Sequence, residues 1–226
     1  MNRQDEAFPR ISPVGESALL VTLDEGISLA ANERVLALDT FLQANPIEGV
    51  LEWVPAYASV LIFFNPLILD FEKLSDWLGA IMPGLRVESF QSPRRVEIPV
   101  CYGGEDGPDL DFVAENCELS QDEVVALHAA SIYRVGMMGF TPGFVYLMGL
   151  DERLITPRRA TPRTFVPAGS VGIAGSQTGI YPLDSPGGWQ LIGRTRMKLF
   201  DGQRESPFLL APGDEVQFLP ENGYRS

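Results

Sequence analysis

The pattern of hydrophobic and polar residues changes character midway along the chain. Over residues 10–90, short apolar runs typical of strands alternate with stretches in which apolar residues recur every three or four positions, as on one face of a helix. Ser28 and Asp70 precede the two helical stretches and are suitable N-caps. The strand-like runs are residues 17–23, 49–54, 59–64 and 85–90. This order, β-α-β-β-α-β, predicts a ferredoxin-like arrangement with two helices on one face of a four-stranded sheet.

Beyond a linker at residues 91–93 the pattern is different. Residues 95–100 alternate as a strand does, and two short helical stretches follow an acidic loop. The second begins at Ser120, where Glu123 completes a capping box. From residue 133 onward glycine and proline recur too often for helices, so short strands joined by tight turns are expected. The prediction is an α+β protein with a ferredoxin-like domain at residues 1–92 and a closed or nearly closed β-barrel at residues 93–226.

The composition limits the possible functions. With 45% hydrophobic residues among 226, the chain can bury two small cores. Its formal net charge of −13 argues against nucleic-acid binding, which needs clustered cations. No apolar run approaches the roughly 20 residues that cross a bilayer, and the first residues do not resemble a signal peptide. The two cysteines, Cys101 and Cys117, are expected to be reduced thiols, so a cytoplasmic location is predicted.

The segment 153–204 is basic although the whole chain is acidic. It holds eight Arg or Lys residues against two acidic ones, a local charge of +6. A solvated surface with counter-ions explains this, and so does a site for a carboxylate, a phosphate or an acidic partner. Arg158, Arg159 and Arg163 lie between two Thr-Pro steps, whose rigid backbone favours anion binding at little entropic cost. A structural ion-pair role fits these arginines equally well.

Several kinds of site are excluded by the residues present. Neither of the two lysines, Lys73 and Lys198, follows a glycine-rich loop of the P-loop type, so this chain does not hold ATP in that way. Two cysteines and one histidine are too few for an ordinary structural zinc site, and no metal is expected. Residues 139–143 have the spacing of a nucleophile elbow, but Pro142 lacks the backbone N–H that an oxyanion hole needs. A self-contained hydrolase of that type is therefore not expected.

His128 is the only histidine, and therefore the only imidazole available for acid–base catalysis. It lies near the end of a predicted helix, just before the glycine-rich region. A catalytic role is one interpretation. A core histidine with its hydrogen bonds satisfied, or one stabilised by the helix dipole, is the other.

Two more segments could carry a binding site. The glycine-rich run 169–179 either brings backbone close to a ligand or forms tight barrel turns. Trp189 follows a flexible Gly-Gly pair and adjoins Gln190, with Arg194 a few residues further on. A ring, an amide and a cation would suit a small amide-bearing acid or a loop of a partner, whereas a core tryptophan is the alternative.

These segments, taken together and in order, resemble the family that comprises KipI, the B-type subunits of 5-oxoprolinase and allophanate hydrolase subunit 1. The resemblance covers nearly the whole chain and departs from the family pattern at Thr141, Val145 and Met148. The matching segments are GESALLV from residue 15, VPAYASVLIFF from 54, GFTPGFVYLM at 139–148, ITPRRATPRT at 155–164, VPAGSVGIAGSQTGIYPLDSPGGWQLIGRT at 166–195 and LAPGDEVQF at 210–218.

The resemblance implies a ferredoxin-like N-terminal domain and a cyclophilin-like β-barrel, in agreement with the two sequence patterns. It also implies activity within a complex. In 5-oxoprolinase, the B-type subunit works with C-type and A-type subunits to open 5-oxoproline to L-glutamate at the expense of ATP. Some relatives are allophanate hydrolases or urea amidolyases, and KipI inhibits a sensor histidine kinase.

The first functional hypothesis is a non-autonomous subunit of ATP-dependent 5-oxoprolinase. Its candidate residues for binding a substrate or an anion are Arg158, Arg159, Arg163, Gln177, Trp189, Gln190 and Arg194. His128 is the candidate proton donor or base. A related amide, as in allophanate hydrolase, is an alternative substrate.

The second hypothesis is a binding module like KipI, in which a concave apolar surface holds a helical hairpin of a histidine kinase. Phe140, Phe144 and Tyr146, together with Trp189, are the candidate partner-binding residues. Prolyl isomerisation, by analogy of fold alone, is a distant third.

Overall fold

The computed structural model describes residues 8–85 and 93–221. Contacts between residues divide the chain into two compact units, Met1–Ser92 and Pro93–Ser226. Across the described ranges, no helix combines the length and the apolar character that crossing a bilayer demands.

The described part of the N-terminal unit contains one antiparallel sheet, two α-helices and a 3-10 helix at Met82–Gly84. The helices are α1, Leu29–Ala44, and α2, Phe71–Ile81. The strands are β1, Arg10–Val14; β2, Ala18–Thr22; β3, Val50–Pro55; and β4, Ser59–Phe64. Their order in the sheet is β1-β2-β4-β3.

Both helices begin where the sequence predicts. The Ser28 hydroxyl accepts a hydrogen bond from the N–H of Ala31, and the Asp70 carboxylate accepts one from the N–H of Lys73. Their apolar stripes cover one face of the sheet, on which Leu19 lies opposite Ile62. The helical residues buried against that face are Val35, Leu38, Leu42, Leu74 and Leu78.

Strand β1 is absent from the sequence-based prediction. It pairs with the outer edge of β2 along its whole length. Its sequence, RISPV, contains a proline and does not alternate, so local pattern alone gives no strand signal. The observed order β2-α1-β3-β4-α2 matches the first five elements of the ferredoxin-like prediction. The sixth, at residues 85–90, lies outside the described residues except for Leu85, so the ferredoxin-like arrangement stays a prediction.

The C-terminal unit is a closed barrel flanked by two helices, which are α3, Leu110–Cys117, and α4, Gln121–Ala130. The capping box at Ser120 and Glu123 is present as predicted. Seven strands form the barrel in the order β10-β7-β6-β13-β5-β12-β9. These strands are β5, Arg95–Tyr102; β6, Ile132–Met138; β7, Val145–Met148; β9, Ser170–Ala174; β10, Gln177–Ile180; β12, Gln190–Arg194; and β13, Glu215–Pro220.

Two further strands, β8 (Arg163–Val166) and β11 (Ser185–Gly187), form a separate ribbon. The α+β class and the closed barrel are therefore confirmed. The glycine-rich run 169–179 forms the β9–β10 hairpin, so it builds barrel wall and a tight turn.

Strand β13 closes the barrel between β5 and β6. It runs parallel to β5 over six residue pairs and antiparallel to β6 over three. Side chains reinforce the β5 contact: Arg94 is paired with Asp214, and Arg95 with Glu215 at 2.8 Å. Most of the fully buried apolar residues of this unit, including Ile98, Tyr133 and Phe218, form one core with α3 and α4.

Candidate functional site

One groove on the C-terminal unit brings together five residues that the sequence marks as candidates. We call it the aromatic groove; its volume is about 250 Å³. The candidates that line it are Phe140, Phe144, Tyr146, Arg158 and Trp189, joined by Tyr181. Arg158, predicted to bind an anion, thus shares a surface with the residues predicted to bind a partner.

The floor of the aromatic groove is a rigid set of edge-to-face rings. Phe144 lies at its centre, with ring centroids 5.5 Å from Trp189, 5.0 Å from Tyr181 and 4.7 Å from Tyr146. Trp189 and Tyr181 are buried, and Tyr146 is half-buried. Such ring pairs add about 0.5–1.5 kcal/mol each beyond their buried area. Trp189 is therefore buried, as the core-tryptophan interpretation expects, and it also forms part of the groove floor.

Phe140 at the rim is different, since its side chain is 60% exposed and its backbone lies in the left-handed region, with φ of 68°. A turn holds it there: the N–H of Thr141 donates to Gly139 O, and the N–H of Phe144 donates to Thr141 O. A non-glycine residue in this region costs about 1 kcal/mol. The partner-binding role of Phe140 stays a prediction, and its exposed ring leaves it accessible for such a contact.

Two glycines allow the rings to approach the barrel. A Cβ atom on Gly187 would lie 2.4 Å from the Tyr181 hydroxyl, and one on Gly179 would lie 3.0 Å from the Trp189 ring. Both positions must therefore remain glycine for the floor to keep its shape. Close packing against the aromatic rings, and not turn formation alone, therefore accounts for Gly179 and Gly187.

The segment that carries Arg158 is fixed on both sides of that residue. The N–H of Arg159 donates to Gly188 O at 2.8 Å, and the side-chain amide of Gln190 donates to Pro157 O at 3.0 Å. Arg158 itself is exposed, and within the described ranges it forms no ion pair. The tethered backbone presents a free guanidinium at the edge of the groove, which is suited to a carboxylate or a phosphate.

The two groove tyrosines stay protonated at neutral pH. Burial raises the pKa of Tyr146, and the nearby Arg158 guanidinium opposes that rise. Burial raises the pKa of Tyr181 as well. Their hydroxyl groups are therefore hydrogen-bonding groups and not bases.

Arg159 and Arg163 are held by a carboxylate that the sequence analysis missed. Each donates to Asp109 Oδ1, at 2.9 and 2.7 Å, while Asp109 Oδ2 accepts the N–H of Leu191 at 2.7 Å. Asp109 is 5% exposed. This arrangement matches the structural ion-pair role that the sequence left open, so anion binding by these two arginines stays a prediction. Nothing in the acidic loop 105–111 distinguishes Asp109 from its acidic neighbours.

His128 is sealed inside the barrel core. Its ring stacks on Phe218 with centroids 4.5 Å apart, and burial lowers its pKa to about 3. The Thr178 hydroxyl donates its hydrogen to Gly172 O, so it accepts from His128 Nε2, 2.9 Å away. His128 Nδ1 then accepts from the Tyr102 hydroxyl at 2.8 Å. This neutral, fully bonded state favours the core-histidine interpretation, and the catalytic role stays a prediction without structural support.

The remaining candidates do not line the aromatic groove. Gln190 is buried and bonded to Pro157, Gln177 opens strand β10, and Arg194 lies on a separate cavity. In the part of the chain that is described, no three His, Cys, Asp or Glu residues are placed to hold a metal ion.

Comparison with known proteins identifies the family of this chain. Residues 9–210 match the family model described as carboxyltransferase domain, subdomain C and D. The chain belongs to this family.

Individual relatives are more specific. The 5-oxoprolinase B subunit of Escherichia coli O157:H7 is 48% identical over 92% of this chain and 94% of its own length. The protein of the same name from Bacillus subtilis (strain 168) is 40% identical over 93% of this chain and 92% of its own. The 5-oxoprolinase B subunit of Haemophilus influenzae is 45% identical over 93% of this chain and 97% of its own length. The chain is therefore similar along its length to 5-oxoprolinase B subunits.

Solved structures with the same fold include two at 44% identity. TTHA0988 is 44% identical with a TM-score of 0.80, over 92% of this chain, and this chain spans only 40% of that protein. PH0987 from Pyrococcus horikoshii is 44% identical with a TM-score of 0.57, over 95% of this chain and 98% of its own. The urea amidolyase of K. lactis, at 22% identity and a TM-score of 0.77, shares the fold.

Proposed function

We propose that this chain is the B-type subunit of an ATP-dependent 5-oxoprolinase. It opens 5-oxoproline to L-glutamate only together with A-type and C-type subunits. The observation that carries the proposal is the identity of 40–48%, over more than nine-tenths of both chains, with three 5-oxoprolinase B subunits.

The aromatic groove supports a role in binding the substrate. 5-Oxoproline is a small, flat lactam with one carboxylate. Aromatic rings with a few polar groups at their edge suit such a ligand. Arg158 would bind the carboxylate, and the protonated hydroxyl of Tyr181 would donate to the lactam carbonyl.

The groove also explains why this chain would need partners. Opening an unstrained lactam requires activation of its carbonyl, for instance by phosphorylation, and then a proton transfer. The described residues that line the groove include no carboxylate, imidazole or thiol. We therefore assign the acid–base chemistry to the partner subunits. The relative TTHA0988 supports this, since its matching part is 40% of a longer chain, so the same module occurs fused to further polypeptide.

We also propose a cytoplasmic location. Cys101 and Cys117 are both free in the structure, as expected for a reducing compartment.

The test is reconstitution. The purified chain alone should form no glutamate from 5-oxoproline with ATP, and addition of the A-type and C-type subunits should produce both glutamate and 5-oxoproline-dependent ATP hydrolysis. Turnover by the isolated chain would show that it is autonomous. A fully assembled complex that shows no 5-oxoproline-dependent ATP hydrolysis would contradict the proposal.

A second candidate function is inhibition of a histidine kinase, and the exposed Phe140 at the rim favours it. A helical hairpin could lay its apolar residues across this ring. The discriminating measurement is kinase autophosphorylation with and without the chain. Distant urea amidolyases, such as the 26% identical Saccharomyces cerevisiae protein, make another amide a weaker alternative substrate.

A further inference from the structure

A second cavity on the C-terminal unit shares no lining residue with the aromatic groove. We call it the basic cavity; its volume is about 490 Å³. Three cationic side chains from one short segment line it, Arg194, Arg196 and Lys198, against the single lining carboxylate of Asp106. In a chain with a net charge of −13, such a concentration of positive charge requires an explanation.

The backbone under this segment is fixed. Arg194 ends strand β12, and the N–H of Thr195 donates to Gly169 O at 2.9 Å. Gly169 has φ of +85°, and a Cβ there would lie 2.1 Å from Thr195 O. The contact therefore admits only glycine, and it sets where the cationic segment leaves the barrel.

The donors of this cavity are largely unused. Arg194 donates its Nε–H to Ala168 O at 2.8 Å, which orients the guanidinium while its Nη groups bond to no other described residue. Arg196 makes neither an ion pair nor a hydrogen bond within residues 8–85 and 93–221. Lys198 is paired with Asp201 at 3.0 Å, but its side chain is 60% exposed, so an ammonium donor can still be shared.

The number and kind of these donors indicate the ligand. The two guanidinium groups and the ammonium exceed the lining carboxylate of Asp106 by two positive charges, which matches a phosphate with its charge of about −1.5 to −2 and three acceptor oxygens. A volume of about 490 Å³ also exceeds what one phosphate fills and lies in the range of small-molecule sites. The expected ligand is a phosphate group attached to a further phosphate or to a small organic body.

We infer that the basic cavity is a binding site for a phosphate-bearing small molecule, held by Arg194, Arg196 and Lys198. The site is built within this chain. The inference does not rest on the 5-oxoprolinase proposal, since it concerns binding by the chain alone.

The chain offers a favourable experiment because it has two lysines in matched settings. Lys73, in the N-terminal unit, pairs with Asp70 at i−3 and is 74% exposed; Lys198 pairs with Asp201 at i+3 and is 60% exposed. Limited acetylation of the purified chain, read by peptide mass spectrometry at constant ionic strength, is compared with and without pyrophosphate. We expect pyrophosphate to slow acetylation of Lys198 severalfold and to leave Lys73 unchanged.

Variants and other ligands make the test specific. Arg196→Gln should raise the pyrophosphate concentration needed for protection roughly tenfold, as loss of one charge-assisted hydrogen bond predicts. Arg153→Gln, an exposed arginine outside the cavity, is the matched control. Tripolyphosphate and ATP distinguish an inorganic phosphate chain from a nucleotide, and either one supports the site.

Three results would overturn the inference. Equal protection of Lys73 and Lys198 would indicate nonspecific binding. Absence of protection of Lys198 by any of the phosphate compounds would show that the cavity does not bind them. Protection by glutamate as effective as that by pyrophosphate would contradict the phosphate preference.

Discussion

The aromatic groove and the surroundings of His128 are built from similar parts but differ in access to solvent. In each, aromatic rings lie near one side chain that could carry a charge. Arg158 stands at an open edge without an ion-pair partner among the described residues, whereas His128 is enclosed and both of its ring nitrogens are bonded. The difference teaches that the availability of a polar group, and not the presence of a reactive residue type, is the guide to a candidate site. Substitution of an enclosed polar group should lower the stability of the fold, whereas substitution of an exposed one should affect function.

The largest effect on stability is expected at Asp109, the enclosed charge next to the groove. Asp109→Asn keeps the shape but leaves the guanidinium groups of Arg159 and Arg163 without their anion. Breaking a buried pair costs about 3–5 kcal/mol, and the partial exposure of both arginines puts the expected loss near the lower end, about 3 kcal/mol. Urea unfolding followed by circular dichroism measures it.

The control for this change is Asp151→Asn. Asp151 pairs with Arg153, whose side chain is 63% exposed, so its loss should cost less than about 1 kcal/mol. Equal unfolding midpoints for Asp109→Asn and the parent chain would show that the buried ion pair is not a structural element.

A smaller effect is expected from pH at His128. Because its pKa falls from 6.5 in the unfolded chain to about 3 in the folded one, the unfolded state binds more protons between those values. Stability is therefore complete above pH 6.5 and decreases as the pH falls. The full slope of about 1.36 kcal/mol per pH unit is reached only below pH 6.5, where most unfolded chains carry the proton, so the loss between pH 6.5 and 5 is between about 1 and 2 kcal/mol.

The assignment of this loss is clear because His128 is the only histidine. The lowered pKa of Asp151 acts only below its ordinary value of 3.8. His128→Gln should be less stable overall but should have a flat stability profile from pH 6.5 to 5. If the free energy of unfolding of the variant varies with pH as steeply as that of the parent chain, the imidazole titrates in contact with solvent. His128 would then not be an enclosed group.

The smallest effect on stability belongs to Arg158. Arg158→Gln removes an exposed charge without an ion pair in the described structure, so unfolding should change by less than about 0.5 kcal/mol. In the reconstituted complex, kcat/KM for 5-oxoproline should fall at least roughly tenfold, as loss of a charge-assisted hydrogen bond to substrate predicts. Arg153→Gln is the control, and unchanged kinetics for Arg158→Gln would separate the aromatic groove from the reaction.

The elements that could be predicted from the sequence are those with a local signal. Helix α1 begins directly after its predicted cap, Ser28, and spans Leu29–Ala44; strand β4 has the expected bounds. Caps and periodicity fix such elements within a few residues. Strand β1 has no such signal, because its place depends on the edge that β2 offers.

The sequence marks the residues of the aromatic groove as candidates, but it does not show that they share one surface. Phe140, Phe144, Tyr146, Arg158 and Trp189 were all candidates, yet they came from two different hypotheses, and only the barrel places them on one surface. Whether an arginine is free depends on a distant carboxylate: Asp109 is 50 residues from Arg159 in the chain. Burial of His128 depends likewise on β10 and β13, and no local pattern encodes either.

The parallel pairing of β13 with β5 also has a consequence for biosynthesis and inheritance. The contacting side chains Arg95 and Glu215 are 120 positions apart, so the ring of strands stays open until nearly all of this unit has been made. Before that moment, β5 and β6 both present unpaired edges that can recruit other nascent chains. A premature stop codon ahead of Glu215 should consequently yield aggregated product and a null allele, with no partial function to select.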